Sequence, residues 1–256
     1  MLLRRLGNKS KIAMDIYKHF PKHKQYIEPF FGAGGMFFNK PKAKYNIVNV
    51  QDSEVFNLFQ VLSNNQKELT EQFLKMPISL DLWNYWKINK ETEPVKKAIR
   101  FLFLSNFGYL GQPNILRYGL DNTASILLAE IDNAAKFMFG VQFMNYDFRD
   151  MFKKINYRHD NEKDYTFCYC DPPYLGTTNN YEKSFEEQDS FELFEILQNS
   201  GLKWAMSEFD HPFILQQVKE RKLNVITIGE RVNLKNRRTE ILVTNYQNER
   251  TLFDYE

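Results

Sequence analysis

Tyr26-Ile27-Glu28-Pro29-Phe30-Phe31-Gly32-Ala33-Gly34-Gly35-Met36-Phe37-Phe38 reads as a strand over Tyr26 to Phe31, a tight turn at the three glycines and the start of a helix. A second unit of the same kind follows. The apolar run Tyr45 to Val50 leads to Asp52, and Val55, Phe56, Phe59 and Leu62 then recur at helical spacing. Upstream, Ile12, Ile16 and Phe20 predict a short amphipathic helix within Asn8 to Phe20, which Pro21 stops. Downstream, strand-like runs resume at Val141 to Tyr146, Tyr165 to Cys170, Leu202 to Met206, Val225 to Ile228 and Ile241 to Thr244. Helical stretches at Ser190 to Gln198 and Pro212 to Arg221 lie between some of them. This alternation predicts an α/β fold with a largely parallel sheet covered on both faces.

Between the two halves the pattern changes. From Asn64 to about Phe139 the chain is helical and aromatic, with Trp83, Tyr85, Trp86, Phe101, Phe103 and Phe107, and is broken by a Gly/Pro/Asn stretch from Gly108 to Gly119. We expect residues 64–138 to form an inserted helical domain with a long loop, and residues 1–63 and 139–256 to form one catalytic unit. The tail after Tyr246 is polar and expected to fray.

Composition excludes several classes. Two cysteines, Cys168 and Cys170, lie two apart in one apolar run, a spacing poor for a disulfide and too few residues for a zinc site. No metal is expected, and a reducing cytoplasm fits best. No apolar run reaches the ~20 residues that span a bilayer, and Met1 to Lys11 is too basic for a signal peptide. The 34 basic and 32 acidic side chains leave a net charge of +2, which announces no nucleic acid. The distribution says more, because basic residues crowd the first segment and Lys235, Arg237 and Arg238 form a second cluster able to meet phosphates.

In an open parallel sheet a ligand binds beyond the carboxyl ends of the strands, where strand order reverses. The turn at Gly32 and Gly34 lets backbone approach a ligand closely, and Asp52 is placed either to accept from ribose hydroxyls or to cap the next helix. The turn lacks the third glycine of G-x-G-x-x-G, which supports a pyrophosphate. S-adenosylmethionine, a nucleoside cofactor without pyrophosphate, therefore fits better than a nicotinamide dinucleotide.

Asp171-Pro172-Pro173-Tyr174 follows the run Phe167 to Cys170 and should emerge at the same edge. The motif is either a turn capped by Asp171 or a site for a planar amine. An exocyclic amine is a poor nucleophile because its lone pair is delocalised into the ring, so a catalyst must accept hydrogen bonds from both N–H groups out of the ring plane. The Asp171 carboxylate and the Pro172 carbonyl, held by two fixed proline φ angles, are two such acceptors. Tyr174 supplies a face on which a base taken out of a duplex can stack, and transfer to the amine is in line, without a covalent enzyme intermediate. Cys168 and Cys170 lie inside the strand as packing residues, against the covalent chemistry of cytosine-C5 methylation.

In these motifs and their order the chain resembles the Dam-type, alpha-group adenine-specific DNA methyltransferases. Arg5-Leu6-Gly7-Asn8-Lys9 resembles that family's N-terminal segment, Glu28 to Gly35 its cofactor turn, Asp52 its ribose-binding acid, and Asp147-Phe148 the pair that contacts the cofactor adenine. Asp171 to Tyr174 resembles its catalytic motif, and Thr239-Glu240-Ile241-Leu242 its closing strand.

The resemblance implies a Rossmann-like S-adenosylmethionine-dependent methyltransferase fold with an inserted recognition domain. The product of the cofactor would be S-adenosylhomocysteine, and the cofactor-binding residues Lys9, Phe30, Gly32, Gly34, Asp52, Asp147, Phe148 and Asp171. It implies a prokaryotic or phage enzyme, a monomer or weak dimer acting on the N6 amine of adenine in double-stranded DNA, with a cognate restriction endonuclease as an open partner. On residue chemistry alone Lys9 reads as a surface lysine and Asp147 as a loop carboxylate. Arg5 stands where the family commonly has an aromatic residue, and Asn106 to Gly119 departs from the fuller hairpin of members that read GATC.

In that loop Gln112, Asn114 and Arg117 have the donors and acceptors to read base edges, and Tyr109 and Tyr118 the rings to wedge or stack. An RNA or protein amine methyltransferase of the same fold, and a non-catalytic DNA-binding relic, stay open as alternatives.

Overall fold

The structure is a computed structural model that describes residues 2–3, 8–108, 115–118, 122–176, 185–233 and 236–247. Among these, seven strands form one sheet: β1 (Gln25–Glu28), β2 (Tyr45–Asn49), β3 (Val141–Met144), β4 (Thr166–Cys170), β5 (Lys203–Phe209), β6 (Asn224–Asn233) and β7 (Asn236–Thr244). Their order is β3-β2-β1-β4-β5-β7-β6, parallel except that β7 runs antiparallel to both β5 and β6. The chain winds outward from β1 to one edge and restarts at β4 beside β1, so the order reverses between these two strands. The α/β fold read from the sequence is the fold observed.

Side-chain alternation divides the core in two. On β4, Phe167 and Tyr169 join the apolar cluster on one face of the sheet, while Cys168 and Cys170 join that on the other. The first face carries α1 (Ala13–Tyr17), α2 (Ser53–Asn64), α3 (Gln66–Lys75), α4 (Leu80–Ile88), α5 (Pro94–Asn106) and α6 (Thr123–Met138). The second carries α7 (Phe148–Lys154), α8 (Glu187–Asn199) and α9 (Pro212–Glu220). Helices α3, α5 and α6 pack onto α2, α3 also meets α5 and α6, and α4 packs on α5; Leu69, Trp83, Leu102 and Ile131 lie in one continuous cluster with Tyr26 and Val48 of the sheet. No helix among the described residues is long and apolar enough to cross a membrane.

Several elements differ from the sequence reading. Strand β1 stops at Glu28 instead of Phe31 because Pro29 has no N–H to continue a ladder. The glycine turn is followed by a single 3-10 turn, Phe37–Asn39, because Pro41 leaves no room for a longer helix. The first helix is confined to Ala13–Tyr17. Strands β6 and β7 extend well past their apolar stretches, since pairing from Gly229 to Asn233 with Asn236 to Glu240 sustains the hairpin where hydrophobic periodicity is lost.

Candidate active site

All the parallel strands end at one edge, and β1 and β4, adjacent in the sheet, bring the glycine turn beside Asp171. Asn49, at the end of β2 and buried, joins the loops there. Its Nδ2 donates to the carbonyls of Pro29 and Tyr146, each at 3.0 Å, and its Oδ1 accepts from Tyr146 N–H at 2.9 Å. The loops after β1, β2 and β3 are therefore pinned through one side chain.

The glycines of the turn serve different purposes. Gly32 has φ +52° and nothing within 4 Å of where a Cβ would stand, so its open side is available to a ligand. At Gly34, φ +74°, a Cβ would lie 2.5 Å from the Phe38 ring. At Gly35 it would lie 2.1 Å from Asn8 Oδ1 and 2.8 Å from Lys9 N. Close approach at Gly34 and Gly35 is thus to the protein itself, and at Gly35 it seats the Asn8–Lys9 segment on the turn.

Asp52 caps α2, one carboxylate oxygen accepting from Glu54 N–H at 2.8 Å and Val55 N–H at 3.2 Å, and it remains half-buried. Asp147 caps α7 through Arg149 N–H at 3.0 Å. Both acids are caps at strand ends facing the same edge. The Phe30 ring packs on Phe148, centroids 5.5 Å apart, and edge-on against Phe185 at 6.0 Å. The Arg149 guanidinium lies 4.4 Å from the centre of the Phe148 ring and is held by Asp189 and Glu192 of α8, so this aromatic wall is braced from behind.

Lys9 is not a surface lysine: it is 2% exposed, and its Nζ is 2.8 Å from Asp171 Oδ1 and 3.3 Å from Glu240 Oε1. The same ammonium lies 4.5 Å from the centre of the Tyr174 ring. Tyr174 donates its hydroxyl to Glu240 Oε1 at 3.0 Å, and its ring meets that of Phe209 at 4.6 Å and 77°. Pro172, which follows Asp171, is buried. Burial raises the Asp171 carboxyl above its ordinary value, with the Lys9 ammonium pulling it back down and Glu240 adding to the rise.

Two further acids line the underside. Glu208 of β5 accepts from Leu175 N–H at 2.8 Å, tying down the residue after the motif, and burial pushes its carboxyl up to about 8. Glu28 of β1 accepts from Tyr26 hydroxyl at 2.7 Å and is likewise pushed up by burial, against the pull of Lys40, whose ammonium sits 3.5 Å over the Tyr26 ring. Tyr169 and Ser207 share a hydroxyl hydrogen bond of 2.8 Å below Asp171. None of Glu240, Glu208, Glu28 or Asn49 emerged from sequence reasoning as a functional residue. Glu28 and Glu240 carried a signal there, as part of Glu28 to Gly35 and of Thr239 to Leu242.

The residues read as DNA contacts divide. Tyr109, Gln112, Asn114 and Lys235 lie outside the described residues, as does the side chain of Arg237. An antiparallel bridge between Gly108 and Leu116 joins the two ends of the loop, and Arg117, exposed, donates to Thr123 Oγ1 at 3.1 Å at the start of α6. Tyr118 is 65% exposed. Arg238 of β7 donates to the carbonyls of Leu175 at 3.4 Å and Gly176 at 3.0 Å, so in this structure it grips the turn that follows Tyr174.

Residues 6–241 match the family profile of the D12 class of N6 adenine-specific DNA methyltransferases. The chain is 24% identical over 248 residues to the DNA adenine methylase of Escherichia coli strain K12, covering 89% of this chain and 87% of that one. It is 24% identical over 277 residues to the type II methyltransferase M1.LlaDCHI of Lactococcus lactis subsp. cremoris, covering 94% of each. Among solved structures, the N-terminal domain of human METTL16 in complex with SAH aligns at a TM-score of 0.40 and 10% identity, over 93% of this chain and 68% of that one.

Proposed function

We propose, for a chain that belongs to the D12 class of N6 adenine-specific DNA methyltransferases, that Asp171 to Tyr174 receive an adenine flipped out of the duplex and present its amine for methylation. The chain is an adenine-specific DNA methyltransferase that uses S-adenosylmethionine, and its substrate is double-stranded DNA. Bound S-adenosylmethionine supplies an electrophilic methyl group on its sulfonium.

The residues at the strand ends suit that cofactor. Gly32 offers an open backbone face, half-buried Asp52 a carboxylate for ribose hydroxyls, and Phe30 with Phe148 an apolar wall for the adenine, with Asp147 beside it. Phe37 in place of the last glycine of G-x-G-x-x-G matches a cofactor without pyrophosphate. Lys9 reaches the same edge at Asp171.

The observation that carries the assignment is the adjacency of Asp171, Tyr174 and the glycine turn between β1 and β4, where strand order reverses. Asp171 and the Pro172 carbonyl accept from the two N–H groups of the amine, and the Tyr174 ring stacks on the base. Because burial raises Asp171, its carboxylate is a stronger acceptor than an exposed aspartate. Stacking offsets part of the ~few kcal/mol lost when the base leaves the duplex.

Residues 64–138 serve as the recognition region, and Tyr109, Gln112, Asn114, Arg117 and Tyr118 are its candidates for contacts to the bases. The β6–β7 hairpin, through Lys235, Arg237 and Arg238, serves as a contact to the sugar-phosphate backbone, which positions without reading sequence. Support for this comes from the exposed Arg117 and Tyr118 and from the hairpin's place beside the Leu175–Gly176 turn.

The test is Asp171→Ala. Transfer of label from tritiated S-adenosylmethionine to unmethylated plasmid DNA should vanish, while calorimetric binding of the cofactor stays near that of the unaltered chain. A variant that still methylates DNA would sink the assignment.

A further inference from the structure

We propose that Glu240 is a positioning residue for the transfer, holding Lys9 between itself and Asp171 and fixing the Tyr174 ring through its hydroxyl. This rests on the assignment of Asp171 to Tyr174 as the transfer site.

Glu240 stands on the one strand of the sheet that is antiparallel to its neighbours on both sides, which is why its side chain arrives at the edge where the parallel strands end. Its register partners are Phe209 at the end of β5 and Gly229 of β6. At 1% exposure it is one of the most buried acids in the molecule, and burying a charge is costly unless it is paired. One carboxylate oxygen carries both contacts, Lys9 Nζ at 3.3 Å and the Tyr174 hydroxyl at 3.0 Å.

Each contact governs one component of the site. The hydroxyl contact and the Phe209 ring fix the rotation of Tyr174, and with it the plane on which a base stacks. The Lys9 contact governs Asp171. An ammonium paired with Asp171 alone would occupy the lone pairs that the amine must use, whereas an ammonium shared with a second carboxylate leaves Asp171 negative enough to accept. A neutral acceptor at position 240 could meet the hydroxyl but not divide the lysine charge.

The groups facing Asp171 set the direction of the pH effects. They are Lys9 from the N-terminal segment, Glu28 from β1, Tyr169 of β4, Tyr174 after it, Glu208 from β5 and Glu240 from β7. Asp171 works as the carboxylate, so activity has an acid limb where it is protonated. Glu240→Gln removes a negative neighbour and moves that limb to lower pH. Lys9→Met removes the positive one and moves it to higher pH. A residue that only supported the fold would not produce opposed displacements.

The experiment measures kcat, KM for plasmid DNA and the acid limb by tritium transfer, with cofactor affinity by calorimetry and melting temperature as controls. Glu240→Gln should lose on the order of tenfold to a hundredfold in kcat, the scale of a misplacement near 1 Å, with cofactor affinity retained. Glu240→Asp, which keeps the charge and withdraws it by one methylene, should lose rate with its acid limb where the unaltered chain has it. Unchanged kcat in Glu240→Gln, limbs that move the same way in Glu240→Gln and Lys9→Met, or a rate loss that merely follows melting temperature would each overturn the proposal. If Asp171→Ala still methylates, the site assignment itself falls. If Asp171→Ala is inactive and Glu240→Gln is normal, only the role of Glu240 falls.

Discussion

Substituting Gly35 by alanine should cost rate more than cofactor affinity, and the reason is where the added methyl would stand. It would lie 2.1 Å from Asn8 Oδ1 and 2.8 Å from Lys9 N, against an ordinary contact of about 3.5 Å, so the amide must retreat by about 1.4 Å and the Lys9 backbone by about 0.7 Å. Asn8 Oδ1 is engaged, accepting from Ser10 N–H at 2.8 Å, and on the other side Asn39 Nδ2 holds the Gly35 carbonyl at 2.9 Å. The backbone of Lys9 has no rotamer by which to escape.

The displacement passes to the Lys9–Asp171 pair, now at 2.8 Å, which would open toward about 3.5 Å or force the lysine into a strained rotamer. Overpacking of this kind costs about 1–3 kcal/mol of stability, and a misplacement near 1 Å costs about a hundredfold in rate at most. We therefore expect Gly35→Ala to fold with a lowered melting temperature, to bind S-adenosylmethionine nearly as before, and to transfer methyl groups roughly tenfold or more slowly. The assay is the initial rate of tritium incorporation into unmethylated plasmid DNA, read beside a melting curve. A variant with the rate and melting temperature of the unaltered chain would refute the idea that the glycine turn seats Lys9.

Two other outcomes follow from the same edge of the sheet. Gly32→Ala meets no atom but is forced to φ +52°, a strain of about 1–2 kcal/mol, so its loss should appear mainly in cofactor affinity by calorimetry; an unchanged affinity would count against Gly32 as a cofactor contact. Glu208, pushed up to about 8 from an ordinary 4.5, is protonated in the folded chain at pH values where the unfolded chain has released the proton. Its stabilising contribution is complete below about pH 4.5 and is lost as pH rises through about 8, an effect of at most about 5 kcal/mol. Urea unfolding at pH 6 and pH 9 should therefore show Glu208→Gln losing less stability with rising pH than the unaltered chain, and equal slopes would dismiss the shift.

What could be read from the sequence is what the chain determines locally. Gly32 to Gly35, Asp52 and Asp171 to Tyr174 each follow an apolar run by a few residues, so their place at a strand end follows from adjacency alone. The parallel α/β fold follows from the same alternation. Asn49 and Glu208 are polar residues near the ends of largely apolar strands, and their partners Tyr146 and Leu175 lie far off in the chain. Nothing local marks them. Glu240 is harder still, because hydrophobic periodicity marks its strand only from Ile241 on and the residues before it are too polar to show that period; only the resemblance of Thr239 to Leu242 reaches it. Lys9 lies in a basic segment that composition assigns to solvent. Only the resemblance pointed inward, and its burial depends on a glycine more than twenty residues away.

The meeting of Lys9, Asp171 and Glu240 has a consequence for the life of the protein. The three come from the segment before α1, from the turn after β4 and from β7, the last strand among the described residues, in a chain synthesised from one end to the other. A ribosome-bound fragment that has already folded its glycine turn, and even the Asp171 turn, still lacks the strand that brings in Glu240. The constellation assembles only after the final hairpin has emerged and paired with β5. A newly made chain would then acquire its full rate late and in one step, when β7 pairs with β5.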